Sequence, residues 1–256
     1  MTARSPDRVA GAVALAVVVL AGCSGTEDPA PTPSTAAATT GTAGGPGTSP
    51  SSSDPSTPSA AELFRTARSA ALSAGSGRVT GTVRHEGETI DIDVEGAADG
   101  SNQTVLITTE DGGTSEVVMA GGGYWLGGDE AFWAAQTGDA AAGREMVGKY
   151  VSISESAATE LGSYSLRGVL TDFFENPQVT AALEGDQTPA VETQLEGRPA
   201  YLIGTEGGAR LWMAADGSGT LLRAEGPPGA PTNLVFSDWG GARTFAAPPA
   251  SAVVEG

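Results

Sequence analysis

The sequence predicts an α+β domain over residues 59–256: a long, curved antiparallel β sheet with helices packed on its concave side. Three observations carry this. A capped amphipathic helix opens the domain, strands of period 2 follow in two runs, and a group of helical stripes separates those runs. Strands with one apolar and one wet face, joined by glycine turns, pair antiparallel rather than lying buried in a parallel sheet.

The opening helix is marked by Ser59 and Glu62 at capping-box spacing, with Leu63, Phe64, Ala67, Ala71 and Ala74 on one face and Gly75 and Gly77 as the stop. The period then changes. Over residues 88–96, Ile90, Ile92 and Val94 alternate with Asp91, Asp93 and Glu95. Further strands are predicted at 78–85, 103–110, 115–120, 123–126 and 131–134, punctuated by Asp99-Gly100, Asp111-Gly112-Gly113 and Gly121-Gly122-Gly123. Helices follow at 139–147, 154–161 and 165–175. The last has the clearest stripe: Leu166, Val169, Leu170, Phe173 and Phe174 fall at i, i+3, i+4, i+7 and i+8, and Asn176-Pro177 ends it. The second strand run is 190–196, 200–205, 209–214, 220–225 and 232–238, with hairpin turns at Glu196-Gly197, Gly207-Gly208 and Asp216-Gly217.

Upstream of the domain the chain has two other parts. Residues 1–22 read as an export signal: Arg4 and Arg8, an apolar stretch from Val9 to Leu20, then small residues. Leu20-Ala21-Gly22-Cys23 is a lipobox, in which the thiol takes a diacylglyceryl group and Cys23 becomes the first residue after cleavage. The apolar run is too short for a membrane span, which needs about 20 residues. Cys23 is also the only cysteine, so acylation leaves no thiol for a disulfide, a metal or a nucleophile. Residues 23–58 are mostly Ser, Thr, Ala, Gly and Pro, too poor in apolar side chains to offset the entropy of ordering, and read as a flexible tether with a reach of about 30–35 Å. The expected location is the extracytoplasmic face of the cell membrane, held by the lipid on Cys23.

The chain carries a net charge of −18. Four of its 31 acidic residues (Asp7, Glu27, Asp28, Asp54) and two of its 13 basic ones (Arg4, Arg8) precede the domain, which leaves 27 against 11 and a charge of −16. That balance argues against nucleic acid and against adhesion to anionic headgroups.

Catalytic patterns are weak. His85 is the only histidine, and no Gly-x-Ser-x-Gly elbow accompanies it. The segment from Gly143 to Lys149 approaches a phosphate loop, but Tyr150 stands where a Ser or Thr would hold Mg²⁺. Asp91, Asp93 and Glu95 lie on the wet side of one strand and read as a solvated face rather than calcium ligands. No enzyme activity, metal or cofactor is expected. Trp125, Phe132 and Trp133 fall on adjacent predicted strands, with Trp212, Phe236 and Trp239 late in the chain; such aromatics fill a sheet core or line an apolar cavity.

Several stretches together carry a family likeness: the lipobox and tether, Gly77-Arg78-Val79-Thr80-Gly81, Gly123-Tyr124-Trp125-Leu126 with Phe132-Trp133, Gly148-Lys149-Tyr150-Val151, Phe236-Ser237-Asp238-Trp239-Gly240 and Ala247-Pro248-Pro249. In these the chain resembles the actinobacterial lipoproteins of the LppX/LprA/LprF/LprG type, which share the LolA/LolB half-barrel fold, over residues 60–254. The resemblance implies a sheet wrapped around an apolar cavity and a lipid, glycolipid or acylated-protein ligand. Ile90, Ile92, Val94, Trp125, Leu166, Leu170, Phe173 and Phe174 are then the candidates to line or cover that cavity, with helix 165–175 as its lid. The alternative is a half-barrel filled by its own side chains, serving as an interaction or sensor module.

Overall fold

The computed structural model describes residues 57–254, apart from 86–87, 111, 161–164, 185, 187–188 and 230. The predicted leader, Cys23 and nearly all of the tether lie outside the described residues.

The first helix, α1 (Ala60–Ser73), is held by the reciprocal box its spacing predicts. The Ser59 hydroxyl accepts the Glu62 N–H, and the Glu62 carboxylate accepts the Ser59 N–H. Five strands follow: β1 (Ser76–His85), β2 (Glu88–Ala97), β3 (Gln103–Thr109), β4 (Gly113–Ala120) and β5 (Gly123–Gly128). The chain then runs through α2 (Glu130–Thr137), α3 (Ala140–Met146), β6 (Tyr150–Ser152), α4 (Glu155–Glu160), α5 (Leu166–Phe174) and α6 (Pro177–Leu183). A second meander comprises β7 (Val191–Leu195), β8 (Arg198–Gly204), β9 (Arg210–Ala214), β10 (Leu221–Glu225) and β11 (Asn233–Ser237), and β12 (Val253–Val254) ends it.

All twelve strands join one open sheet in the order β12-β6-β5-β4-β3-β2-β1-β11-β10-β9-β8-β7, with β1 against β11 joining the two meanders. Only β12 on β6 is parallel. The sheet is curved, and the helices α1, α5 and α6 fill its concave side. Register shows why that side is apolar. One row across the strands reads Ile107, Ile92, Gly81, Leu234, Ala224, Leu211, Ile203 from β3 to β8. The next row reads Leu126, Val117, Val105, Val94, Val79, Phe236 from β5 to β11. Each large side chain so buried contributes about 1.5–3 kcal/mol. Gly81 is required in its row: at φ 143° a Cβ there would lie 1.9 Å from the Asn233 carbonyl oxygen, so only glycine lets β11 close onto β1.

Two expectations are corrected and one is extended. Residues 131–134 are not a strand but the start of α2, because the Asp129 carboxylate accepts the Phe132 N–H and nucleates a helix. Phe132 and Trp133 are therefore helical residues. Pro177 does end α5, yet it also occupies the first turn of α6, where its missing N–H costs nothing. The outward carboxylates of β2 are not simply solvated. Asp93 pairs with Arg78 through two hydrogen bonds, Asp91 accepts from the Thr82 hydroxyl, and Glu95 lies buried beneath Arg243. Beside it the Asn102 amide exchanges both of its hydrogen bonds with the Phe245 backbone, each at 2.7 Å. These contacts strap residues 243–245 across the outer face on the way to β12.

Candidate functional site: the concave apolar face

The candidate site is the concave face itself. Ile90, Ile92 and Val94 alternate inward from β2, and Leu166, Leu170 and Phe174 meet them from α5, all buried in one cluster. Phe174 packs against Phe64 of α1 with ring centroids 5.7 Å apart, and Phe173 bridges Phe174 at 4.9 Å and Phe236 of β11 at 6.1 Å. Phe173 is only half-buried.

Trp125 is not part of this face. Its neighbours Tyr124 and Leu126 pack on the core, so alternation turns Trp125 to the outer side, where its ring covers Gly123. The α5 stripe is also not the loose lid its amphipathicity suggests, since Leu166, Leu170 and Phe174 are fully buried. Its N-terminus is pinned as well. The Ser165 hydroxyl accepts the Gly168 N–H at 3.0 Å, and the Arg167 Nε donates to the Ala98 carbonyl at 3.1 Å. The buried Gln103 of β3 completes the anchorage, its carbonyl accepting the Leu166 N–H at 3.2 Å and its amide nitrogen donating to the Met119 sulfur at 3.0 Å.

Gln103 is a residue that reading by pattern misses. It occupies an inward position of β3, where alternation assigns an apolar side chain, and that break in the pattern is the available signal. Trp239 is similar. Its ring stacks on Phe236 at 6.2 Å, and its indole N–H donates to the Leu221 carbonyl at 3.1 Å.

Around the buried centre the apolar face is only partly covered. Val83, Ile107 and Leu126 of the sheet, Val169 and Phe173 of α5 and Val179 of α6 pack on the core while remaining partly exposed. Of the buried polar residues described, Glu95 and Thr104 point to the outer face, Ser59 is used as the cap of α1, and Gln103 sits on the concave face with its hydrogen bonds used internally. A charge buried against such a surface would find no compensating partner. A separate pocket of about 250 Å³ lies on the outer face between Leu106, Glu116, Asp129, Lys149 and Tyr150. There the Tyr150 hydroxyl donates to Glu116 at 2.7 Å, and burial, reinforced by that carboxylate, pushes the phenol up to about 12. The near phosphate loop is absent as a structure: Gly143 is inside α3, where a Cβ would come within 2.8 Å of the Glu130 carbonyl on α2.

No family model matches the chain, and no curated protein matches it. Among solved structures it is similar to LprF from Mycobacterium bovis, at 14% identity over 74% of this chain and 96% of that one, with a TM-score of 0.45. It is similar also to the lipoprotein LppX of Mycobacterium tuberculosis, at 14% identity over 71% and 94%, with a TM-score of 0.38. An uncharacterised conserved protein of Thermus thermophilus follows at 11% identity over 76% and 97%, with a TM-score of 0.32. The described chain is itself an open, curved, mostly antiparallel sheet with helices on its concave face.

Proposed function

We propose that this chain is a membrane-anchored extracytoplasmic lipoprotein that binds the acyl chains of a lipid or glycolipid on the concave face of its sheet, without performing a chemical step on them. The observation that carries the reading is the set of partly exposed apolar side chains packed against the core, from Val83 and Ile107 on the sheet to Val169 and Phe173 on α5. A soluble domain rarely leaves a large apolar surface open unless something binds there. The polar headgroup stays outside, because no basic side chain is buried on that face to receive it. The lipobox at Cys23 supports the location. Titration of the chain with a fluorescent fatty acid tests the reading: saturable binding, weakened by Phe173→Ala, supports it, and absence of binding overturns it.

One observation favours the second reading, a filled interaction module. Directly beneath α5 the space between helix and sheet is occupied by Phe64, Leu166, Leu170 and Phe174. In the lipid-binding reading the ligand therefore lies beside this plug, not in place of it.

A further inference from the structure

Three of the 11 basic residues of this acidic domain, Arg198, Arg210 and Arg223, share the outer face of its second meander. Register across β7–β11 places Val191, Leu202, Trp212, Arg223 and Val235 in one row on that face. Strand alternation puts Arg198 and Arg210 on the same side, and Glu225 is the carboxylate that shares it. Arg223 lies over the Trp212 ring at 5.6 Å and pairs with Glu225 at 2.9 Å. Arg210 reaches Glu225 only at 3.8 Å and stays 62% exposed. Glu196, Glu206 and Asp216 lie on the hairpin turns, and the Asp216 carboxylate, held below its ordinary value by hydrogen bonding from Ser218, also feels the charge of Arg198. Val191 and Val235, 60% and 39% exposed, are two of the three large apolar side chains that stand out from the described surface.

We propose that this outer face of β7–β11 docks on an anionic lipid bilayer. Aliphatic side chains, a tryptophan and three arginines, against Glu225 on the strands and Asp216 at the turn beside Arg198, suit the headgroup boundary, where apolar burial and attraction to anionic lipid act together. The net charge of the domain does not forbid it, since acids more than a Debye length away, about 8 Å at physiological salt, are screened. The chain also enters the fold at this edge: the Ala190 N–H donates to the Pro58 carbonyl, and Ser59 bridges Pro189, one residue short of that N–H. A tether fixed at Cys23 therefore delivers this face to the bilayer at high local concentration, and a weak surface suffices. The inference does not require the concave face to bind lipid.

The sole cysteine makes the test direct. The chain from Cys23 onward, which contains every described residue, is coupled through that thiol to maleimide-lipid vesicles. One set is pure phosphatidylcholine, the other contains equal parts of phosphatidylglycerol, and each includes brominated acyl chains. The expected result is tryptophan quenching in the anionic vesicles only, lost with Trp212→Phe. The docked-to-free ratio falls about fivefold for each of Arg198→Gln and Arg210→Gln, the factor corresponding to about 1 kcal/mol per basic residue near the surface. Unchanged melting temperatures show that these exposed substitutions leave the fold intact. No quenching from Trp212, or equal quenching in both vesicle sets, overturns the proposal. So does cross-linking of neighbouring copies through this face, which would make a second copy its occupant.

Discussion

The side-chain carbonyl of Gln103 accepts the N–H of Leu166 at 3.2 Å, joining the first turn of α5 to the middle of the sheet. Both partners are buried, and the bond answers one of the N–H groups that a helix start leaves unsatisfied. Gln103→Leu keeps the volume and strands that donor. The expected loss is about 1–3 kcal/mol in a urea melt, the cost of an unpartnered buried polar group. A change below ~0.5 kcal/mol would show that α5 is held by its apolar stripe alone.

Phe173 and Phe174 are adjacent in sequence and differ in role. Phe174→Ala should destabilise by about 3–5 kcal/mol, as a core cavity does. Phe173→Ala should cost less than half of that while weakening a fluorescent acyl probe more. Parallel melts and probe titrations decide between them; equal losses of stability with unchanged binding would place both residues in plain core.

Glu95 gives the domain an acid-sensitive clasp. Its side chain is 6% exposed, and hydrogen bonding from Arg243 holds its carboxyl at about 2, against an ordinary value of 4.5 that it regains on unfolding. Between those values the unfolded chain binds a proton that the folded chain does not. The stabilisation is therefore complete above about pH 5 and is lost as pH falls through 4.5 toward 2. Because Arg243 itself is 69% exposed, solvent screening weakens the contribution. Arg243→Gln should flatten the stability profile across that window. A profile as steep as that of the parent chain would assign the acid loss to other carboxylates.

Cys23→Ala should move the chain from washed membranes to the soluble fraction, since no helix among the described residues is long and apolar enough to cross a membrane. Retention in the membrane pellet would require a different anchor.

How much of the fold and site is legible in the sequence depends on the length of each signal. β2 can be read from Ile90, Ile92 and Val94 because strict alternation over the six residues Ile90 to Glu95 leaves one interpretation. The stripe of α5 is equally plain, and so is the capping box at Ser59. What the stripe does not reveal is what it meets: amphipathicity is the same for a lid and for a plug, and only Phe64 opposite Phe174 distinguishes them. The short run 131–134 misleads because four residues hold too little period to outweigh a capping Asp129. β6 and β12 are three and two residues long and are strands only because each lies beside a partner. Residue type alone points Trp125 inward, whereas its face is set by register with Val118 and Ser152.

The most direct test of the central claim is mass spectrometry of an organic extract of residues 59–256, purified from the native host without Cys23 so that no anchor lipid contributes. Acyl-chain binding on the concave face predicts a co-purifying lipid or glycolipid in stoichiometric amount, diminished in Phe173→Ala. A protein that emerges free of lipid, and that also fails to take up a fluorescent acyl probe, would contradict it and make the half-barrel a filled module.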